Sequence, residues 1–333
     1  MGAPWLELTA QSGPVHFVEH DDGRVERQTA IIFNEDKEMN QVAVVTDTCA
    51  GVLPELIEEL NIKIVPYYIL REGQMLKDVE EETDFAEFYD YLAATKTLPT
   101  TANPGAGEYL EAFEELIAAG ATGIVAVTMT AEGSGAYQAA MVARQMLQEK
   151  RPGFPVEVCD TRNVSGAHFL FSVEGARAAK RGWSVPQIMA LWQRMIPATH
   201  MLHTAPSLDY LYKGGRIGRA KHMVATILRV KPIITMNDGI IEPMAQVRTG
   251  NMDRVYQKMV ELIRGVVADA PIKAVFVHSQ AEALAARLRG LVGEQLNVVE
   301  TFTTRMSPAL GVHNGPGTVS VSYASVSVLT VDS

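Results

Sequence analysis

Between residues 42 and 206 short apolar runs alternate with helical patterns, and no other feature constrains the fold as strongly. Val42–Thr46, Ile62–Leu70, Gly123–Met129 and Pro155–Cys159 are short, largely apolar runs that read as strands. Helical spacing runs through Val52–Leu60, Phe85–Ala94, Gly107–Ala119, Gly135–Gln148, Ala167–Lys180 and Pro186–Ile196, and a further strand is expected at His200–Thr204. Strands of this kind separated by helices predict a parallel sheet covered on both faces.

The remainder reads differently. KPIITM and IIEPMAQV flank Asn237-Asp238-Gly239, a strong hairpin signal. A helix at Asn251–Val267, a strand at Lys273–His278, a helix at Ala281–Leu291 and a strand at Asn297–Phe302 lead to the strand-rich VSVSYASVSVLTV. The expected class is α/β with two domains: a doubly wound parallel sheet over 42–206 and a mixed α+β domain over 207–333. A length of 333 residues suits two domains, because single cores stop growing near ~250–300 residues. No low-complexity linker separates them, so close packing is expected. Residues 1–41 stand apart as an extension. Alternation on either side of Asp21-Asp22-Gly23 suggests a hairpin, and a loosely packed tail is the alternative.

Charge and cysteine content exclude several function classes. Twenty-nine Lys and Arg against 39 Asp and Glu give −10, a poor balance for non-specific nucleic-acid binding. Two isolated cysteines, Cys49 and Cys159, make neither a disulfide framework nor a CxxC metal site, which fits a reducing cytoplasm. MGAPWLELTAQSG lacks the basic and apolar regions of a secretory signal, and no apolar run reaches the ~18–20 residues of a membrane span. His200 and His203 would face opposite sides of a strand, so no metal site is expected there.

Ligands of open α/β sheets bind outside the carboxyl ends of the strands. Three such ends carry hydroxyls ahead of a helix: Thr46-Asp47-Thr48, Thr128 to Ser134, and Asp160-Thr161. Each is suited either to N-capping or to holding an anion. Lys213-Gly214-Gly215-Arg216 is a glycine turn that presents one guanidinium, a group that grips carboxylates and phosphates; a surface turn with solvated basic residues is the alternative. An apolar helical pattern follows it. His313-Asn314-Gly315-Pro316-Gly317 is a second glycine-proline turn with a histidine at its entrance. Walker A, complete dinucleotide, HExxH and GxSxG signatures are all missing. The chain offers donors for an anion and no evident nucleophile–base pair.

Several runs carry a resemblance. They are Val45-Thr46-Asp47-Thr48-Cys49-Ala50, Thr101 to Tyr109 (TANPGAGEY), Gly133 to Gln138 (GSGAYQ), Asp160 to Gly166 (DTRNVSG), Leu208 to Gly218 (LDYLYKGGRIG), Lys231-Pro232-Ile233-Ile234 with Asp238-Gly239, and His313 to Gly317 (HNGPG). In order and over roughly residues 42–323, the sequence resembles the DegV family of bacterial fatty-acid-binding proteins. The resemblance implies one long-chain fatty acid held between two domains, no cofactor, and presentation of the acid to a separate ATP-dependent kinase subunit that makes an acyl phosphate. It implies a lipid-binding protein with no catalytic residue. Thr101, Arg216 and His313 fall on the family's carboxylate-binding positions. One position departs: where the family pattern has a second serine as a head-group ligand, this chain has Ala131, and Thr130 or Ser134 would stand in. The Ser-Gln-Pro-Ser run is replaced by Ala102-Asn103-Pro104-Gly105.

A fatty acid suits the physics. At about 0.8 kcal/mol per buried methylene, a sixteen-carbon tail supplies on the order of 10 kcal/mol before the costs of binding. The polar end then needs only to fix register. Phe169, Met223 and Ile227 are the expected tunnel residues. The competing reading is an enzyme acting on a small phosphorylated or carbonyl substrate through His313, motivated by an architectural likeness to dihydroxyacetone kinase subunits. A carboxylate within hydrogen-bond reach of His313 would favour it. A scaffold role rests only on the unusual N-terminal segment.

Overall fold

The computed structural model describes residues 41–223 and 230–329, together with the strands Val15–Glu19 and Val25–Thr29. Those two strands pair antiparallel, with Val15 opposite Thr29. The Asp21-Asp22-Gly23 turn lies outside the described residues.

Four parallel strands form the first sheet, in the order Ile62–Val65, Val42–Asp47, Gly123–Thr128, Val156–Asp160. Alternate residues along a strand face opposite sides, and the two faces have separate cores. Ala43, Val45, Ile124 and Ala126 pack under the helices Ala106–Ala118 and Ala136–Lys150. Val44, Val125 and Val127 pack under Gly166–Lys180 and Val185–Met195. This is the expected doubly wound arrangement. The expected strand Ile62–Leu70 is two strands: Ile62–Val65 stays in the parallel sheet, and after Pro66 the chain turns into Tyr68–Arg71. Proline lacks the N–H needed to continue a ladder. Tyr68–Arg71 lies between Gln74–Lys77 and Thr100–Ala102 in a small antiparallel sheet, which carries Thr101 to the cavity described below.

The second sheet has six strands, ordered Ile240–Arg248, Val230–Asn237, Thr199–Thr204, Val319–Ser325, Ile272–His278, Val298–Arg305. Only the last two pair in parallel, so this sheet is mixed. Thr199–Thr204 precedes residue 207 in sequence yet pairs with Val319–Ser325 in the second sheet. A boundary drawn from sequence follows chain order, whereas strand pairing is settled by the partner that arrives more than a hundred residues later. The chain ends differently from expectation too, since Val326–Leu329 turns helical after the last strand.

The helix Gly166–Lys180 joins the two sheets. Twelve of its fifteen residues are buried, and it contacts strands of both sheets. A helix apolar nearly all round has to be enclosed. Its Glu174 accepts from Lys273 Nζ at 2.7 Å, and Arg177 bonds Glu300 at 2.6 Å, so ion pairs from both residues fix the helix to the second sheet. Phe169 lies on this helix with no exposure, its ring 5.0 Å from that of Phe302. It belongs to the inter-sheet core and is not among the residues that line the cavity described below. Met223 ends the 3-10 stretch Gly218–Met223 and packs with Leu208, Leu211, Ile217, Ala220 and Ile234 in a small satellite core. Ile227 lies outside the described residues.

Candidate functional site

A cavity of about 300 Å3 opens between the two sheets, at the carboxyl ends of the parallel strands. This is within the size range of small-molecule sites, ~300–1,000 Å3. The first domain contributes Cys49, the loop from Met129 to Gly135, and Val164-Ser165. The second contributes Met201 and His203 from one strand, Met236 and Ile240 from the hairpin, and the segment from Met306 to Asn314. Four methionines, 129, 201, 236 and 306, stand in the wall. Unbranched thioether side chains adapt their shape to what they enclose.

All five expected head-group residues line this cavity: Thr101, Thr130, Ser134, Arg216 and His313. The structure gives them unequal parts. Thr101 Oγ1 and His313 Nε2 are 2.9 Å apart, although 212 residues separate them in sequence. His313 sits in the short helix Pro308–Asn314, capped by Ser307 and begun by Pro308. Burial first, and the Arg216 charge second, push its imidazole down to about 4, so it is neutral near pH 7. Arg216 is exposed at the mouth. Its Nη1 donates to Gly214 O at 2.7 Å and its Nε to Gly133 O at 3.5 Å, so it spans from the glycine turn to the loop of the first domain. Gly214 is required by close approach: a Cβ there would stand 2.3 Å from His313 Nδ1.

Thr130 is not a free donor. It is buried and its hydroxyl donates to Gly239 O at 2.9 Å, tying the hairpin tip to the first domain. Arg162 and Asp238 form an ion pair beside it. Ser134 is half-buried, with its Oγ 2.6 Å from Tyr67 Oη. Between the two substitutes for a donor at Ala131, Ser134 keeps the more accessible hydroxyl. Asn103 lines the cavity as well, its Nδ2 donating to Pro104 O at 2.8 Å.

The other two hydroxyl-bearing strand ends serve the fold. Asp47 caps the turn Thr48–Ala50 through Cys49 N, and Thr46 Oγ1 lies 2.8 Å from His168 Nε2. Asp160 accepts from Arg162 N at 2.8 Å, and Thr161 donates to Asn163 O at 3.0 Å. Sequence reasoning passed over Tyr67, Cys49 and His203 as wall residues. The one available signal was Pro66, which breaks the strand and turns Tyr67 toward Ser134. His200 and His203 do separate as strand neighbours should: His200 is half-buried against the Tyr323 ring at 5.3 Å, and His203 is buried at the cavity. Among the described residues no cluster of His, Cys, Asp or Glu has metal-binding geometry.

Behind the Cys49 wall lie two buried carboxyls. Burial pushes Asp47 up to about 8 and Asp78 up to about 7, and it pushes the neighbouring His168 down to about 4. The folded protein thus retains protons on Asp47 and Asp78 that the unfolded chain has released. That contribution is complete below the ordinary value of 3.8 and is lost as pH rises toward 8. The lowered histidines act in the opposite sense but only below their unfolded value of 6.5. Unfolding free energy should therefore fall between pH 6.5 and 8, by up to about 1.4 kcal/mol per pH unit for each retained proton. Chemical denaturation across this range tests it, and the Asp47→Asn variant should show a shallower fall. Equal slopes in the two proteins would contradict the assignment.

Comparison with known proteins agrees with this architecture. The sequence model described as "Uncharacterised protein, DegV family" matches residues 41–326. The chain belongs to the DegV family. A DegV domain-containing protein of Clostridium perfringens is 30% identical over 284 residues, covering 85% of this chain and 98% of that protein. Another, from Caldanaerobacter subterraneus, is 28% identical over 289 residues, covering 86% and 99%. Among solved structures, a DegV-family protein of Thermus thermophilus, described for its fatty-acid binding, matches with a TM-score of 0.79 at 24% identity, covering 86% of this chain and 99% of that one. A stearic-acid-binding protein of Eubacterium ventriosum matches with a TM-score of 0.76 at 22% identity, covering 85% and 98%. These likenesses establish the DegV fold for this chain. Among its described residues no helix is long and apolar enough to cross a membrane.

Proposed function

We propose that this DegV-family protein binds one long-chain fatty acid in the cavity between its domains, in the cytoplasm. One observation carries the reading. A polar cluster of Thr101, His313 and Arg216 stands at a cavity whose wall is otherwise rich in methionine and aliphatic side chains. That division, a few placed donors against an apolar enclosure, suits an amphipathic acid. With Nε2–H of the neutral His313 donating to Thr101 Oγ1, the threonine proton is free for the carboxylate, and Arg216 offers the charge. Ser134, held by Tyr67, supplies a further donor. The solved DegV relatives described as fatty-acid-binding support the ligand class.

Protein purified from a bacterial host is expected to carry about one long-chain acid per chain, identified by organic extraction and mass spectrometry. A protein that carries none, and that binds no fluorescent acyl probe, overturns the reading. The position of Arg216 at an exposed mouth supports delivery of the head group to a separate ATP-dependent kinase subunit. Hydroxylamine trapping of an acyl phosphate, in the presence of that subunit and ATP, tests the delivery. The enzymatic alternative lacks its deciding contact: among the described residues His313 Nε2 meets a threonine hydroxyl, and Nδ1 has no hydrogen-bond partner.

A further inference from the structure

Two polar side chains of the cavity wall lie outside the head-group cluster, each with a buried polar atom that no hydrogen bond among the described residues satisfies. Ser165 precedes the helix Gly166–Lys180, where a serine ordinarily caps. Among the described residues its side chain makes no capping hydrogen bond here, and Oγ has no partner. It is held with φ at +58°, a conformation that side-chain-bearing residues rarely adopt. His203 Nε2, in the strand Thr199–Thr204, likewise has no partner among the described residues. Both residues line the cavity, and both are more than nine-tenths buried, Ser165 at 5% and His203 at 3% exposure. Leaving a buried donor or acceptor unpaired costs its lost hydration, which a ligand oxygen can restore.

Their surroundings belong to the acyl part of the cavity. Met201 shares the strand face of His203, Ile234 is its partner across the sheet, and Val164 precedes Ser165. We propose that Ser165 and His203 form a polar station within the acyl-binding cavity, which takes a neutral oxygen function, a hydroxyl or keto group, carried on the chain of the fatty acid. The proposal rests on the fatty-acid reading above and adds to it a ligand class, oxygenated long-chain acids. Charge decides against a second carboxylate. Burial pushes His203 down to about 4, so neither group is charged near pH 7, and an anion there would have no counter-charge. A hydroxyl both donates and accepts, matching a serine hydroxyl and a neutral imidazole.

Competition binding with stearate and a set of hydroxystearates differing in hydroxyl position tests this. At least one isomer is expected to bind the wild-type protein about tenfold tighter than stearate, a difference of about 1.4 kcal/mol. Ser165→Ala and His203→Leu should each bring that ratio close to one, whatever each does to stearate affinity itself, and thermal denaturation shows whether each variant folds. If no isomer binds tighter than stearate, the station is overturned and the fatty-acid reading stands. A preference that persists in both folded variants overturns the station too. If neither variant folds, the wild-type ratio alone decides. If stearate itself fails to bind the wild type, the fatty-acid reading falls and this proposal falls with it.

Discussion

The Gly214→Ala variant should remain folded and lose fatty-acid affinity by about tenfold to a hundredfold, the worth of one or two hydrogen bonds to a charged group. Gly214 ends the helix Asp209–Lys213 with φ −75° and ψ −5°, a conformation alanine adopts without strain. Helix propensity alone would favour alanine by about 0.5–1 kcal/mol. The added methyl, however, would stand 2.3 Å from His313 Nδ1. The imidazole can escape by rotating, and rotation breaks its 2.9 Å contact with Thr101. Gly215→Ala is the matched control. There a Cβ meets nothing within 4 Å among the described residues, but φ is +73°, so the cost of about 1–2 kcal/mol falls on stability. Thermal denaturation beside a fluorescence displacement assay separates the two. Equal affinity in Gly214→Ala and wild type would remove His313 from the head-group site.

Arg216→Ala is expected to weaken binding by a similar factor, about tenfold to a hundredfold, through loss of a charge-assisted hydrogen bond of about 1.5–3 kcal/mol. Arg216 is exposed and its two hydrogen bonds among the described residues are to backbone carbonyls, so little stability should be lost. Arg216→Lys should recover only part of the affinity, because an ammonium keeps the charge without the planar fork. The loss should shrink at high salt, since an exposed charge is screened. An Arg216→Ala protein with wild-type affinity at low salt would place the carboxylate elsewhere in the cavity.

Single residues gave candidates for an anion site and no more, because glycine turns, hydroxyls and an arginine suit a surface turn or a helix cap equally well; the resemblance is what grouped Thr101, Arg216 and His313. The tunnel was less legible. Phe169 and Met223 have the apolar character of tunnel residues, but apolarity does not say which buried space a side chain fills. Phe169 meets Phe302 in the core, while Met129, Met201, Met236 and Met306 come from four separate segments to the cavity. Thr130 shows the same limit for polar groups. Its hydroxyl suits a ligand, and only the arrival of Gly239 from the hairpin commits it to the fold.

Local periodicity determined the alternating strands and helices, the parallel sheet and the hairpin at Asn237-Asp238-Gly239, since period and turn chemistry are properties of neighbouring residues. The resemblance carried by the sequence runs pointed to the family. Tertiary structure alone decided that Thr199–Thr204 joins the second sheet, that Thr101 meets His313 across 212 residues, and that Ser165 and His203 sit unpaired in one cavity. Those pairings depend on which distant surfaces are buried together, and burial against a remote partner leaves no mark on the spacing of the residues around it.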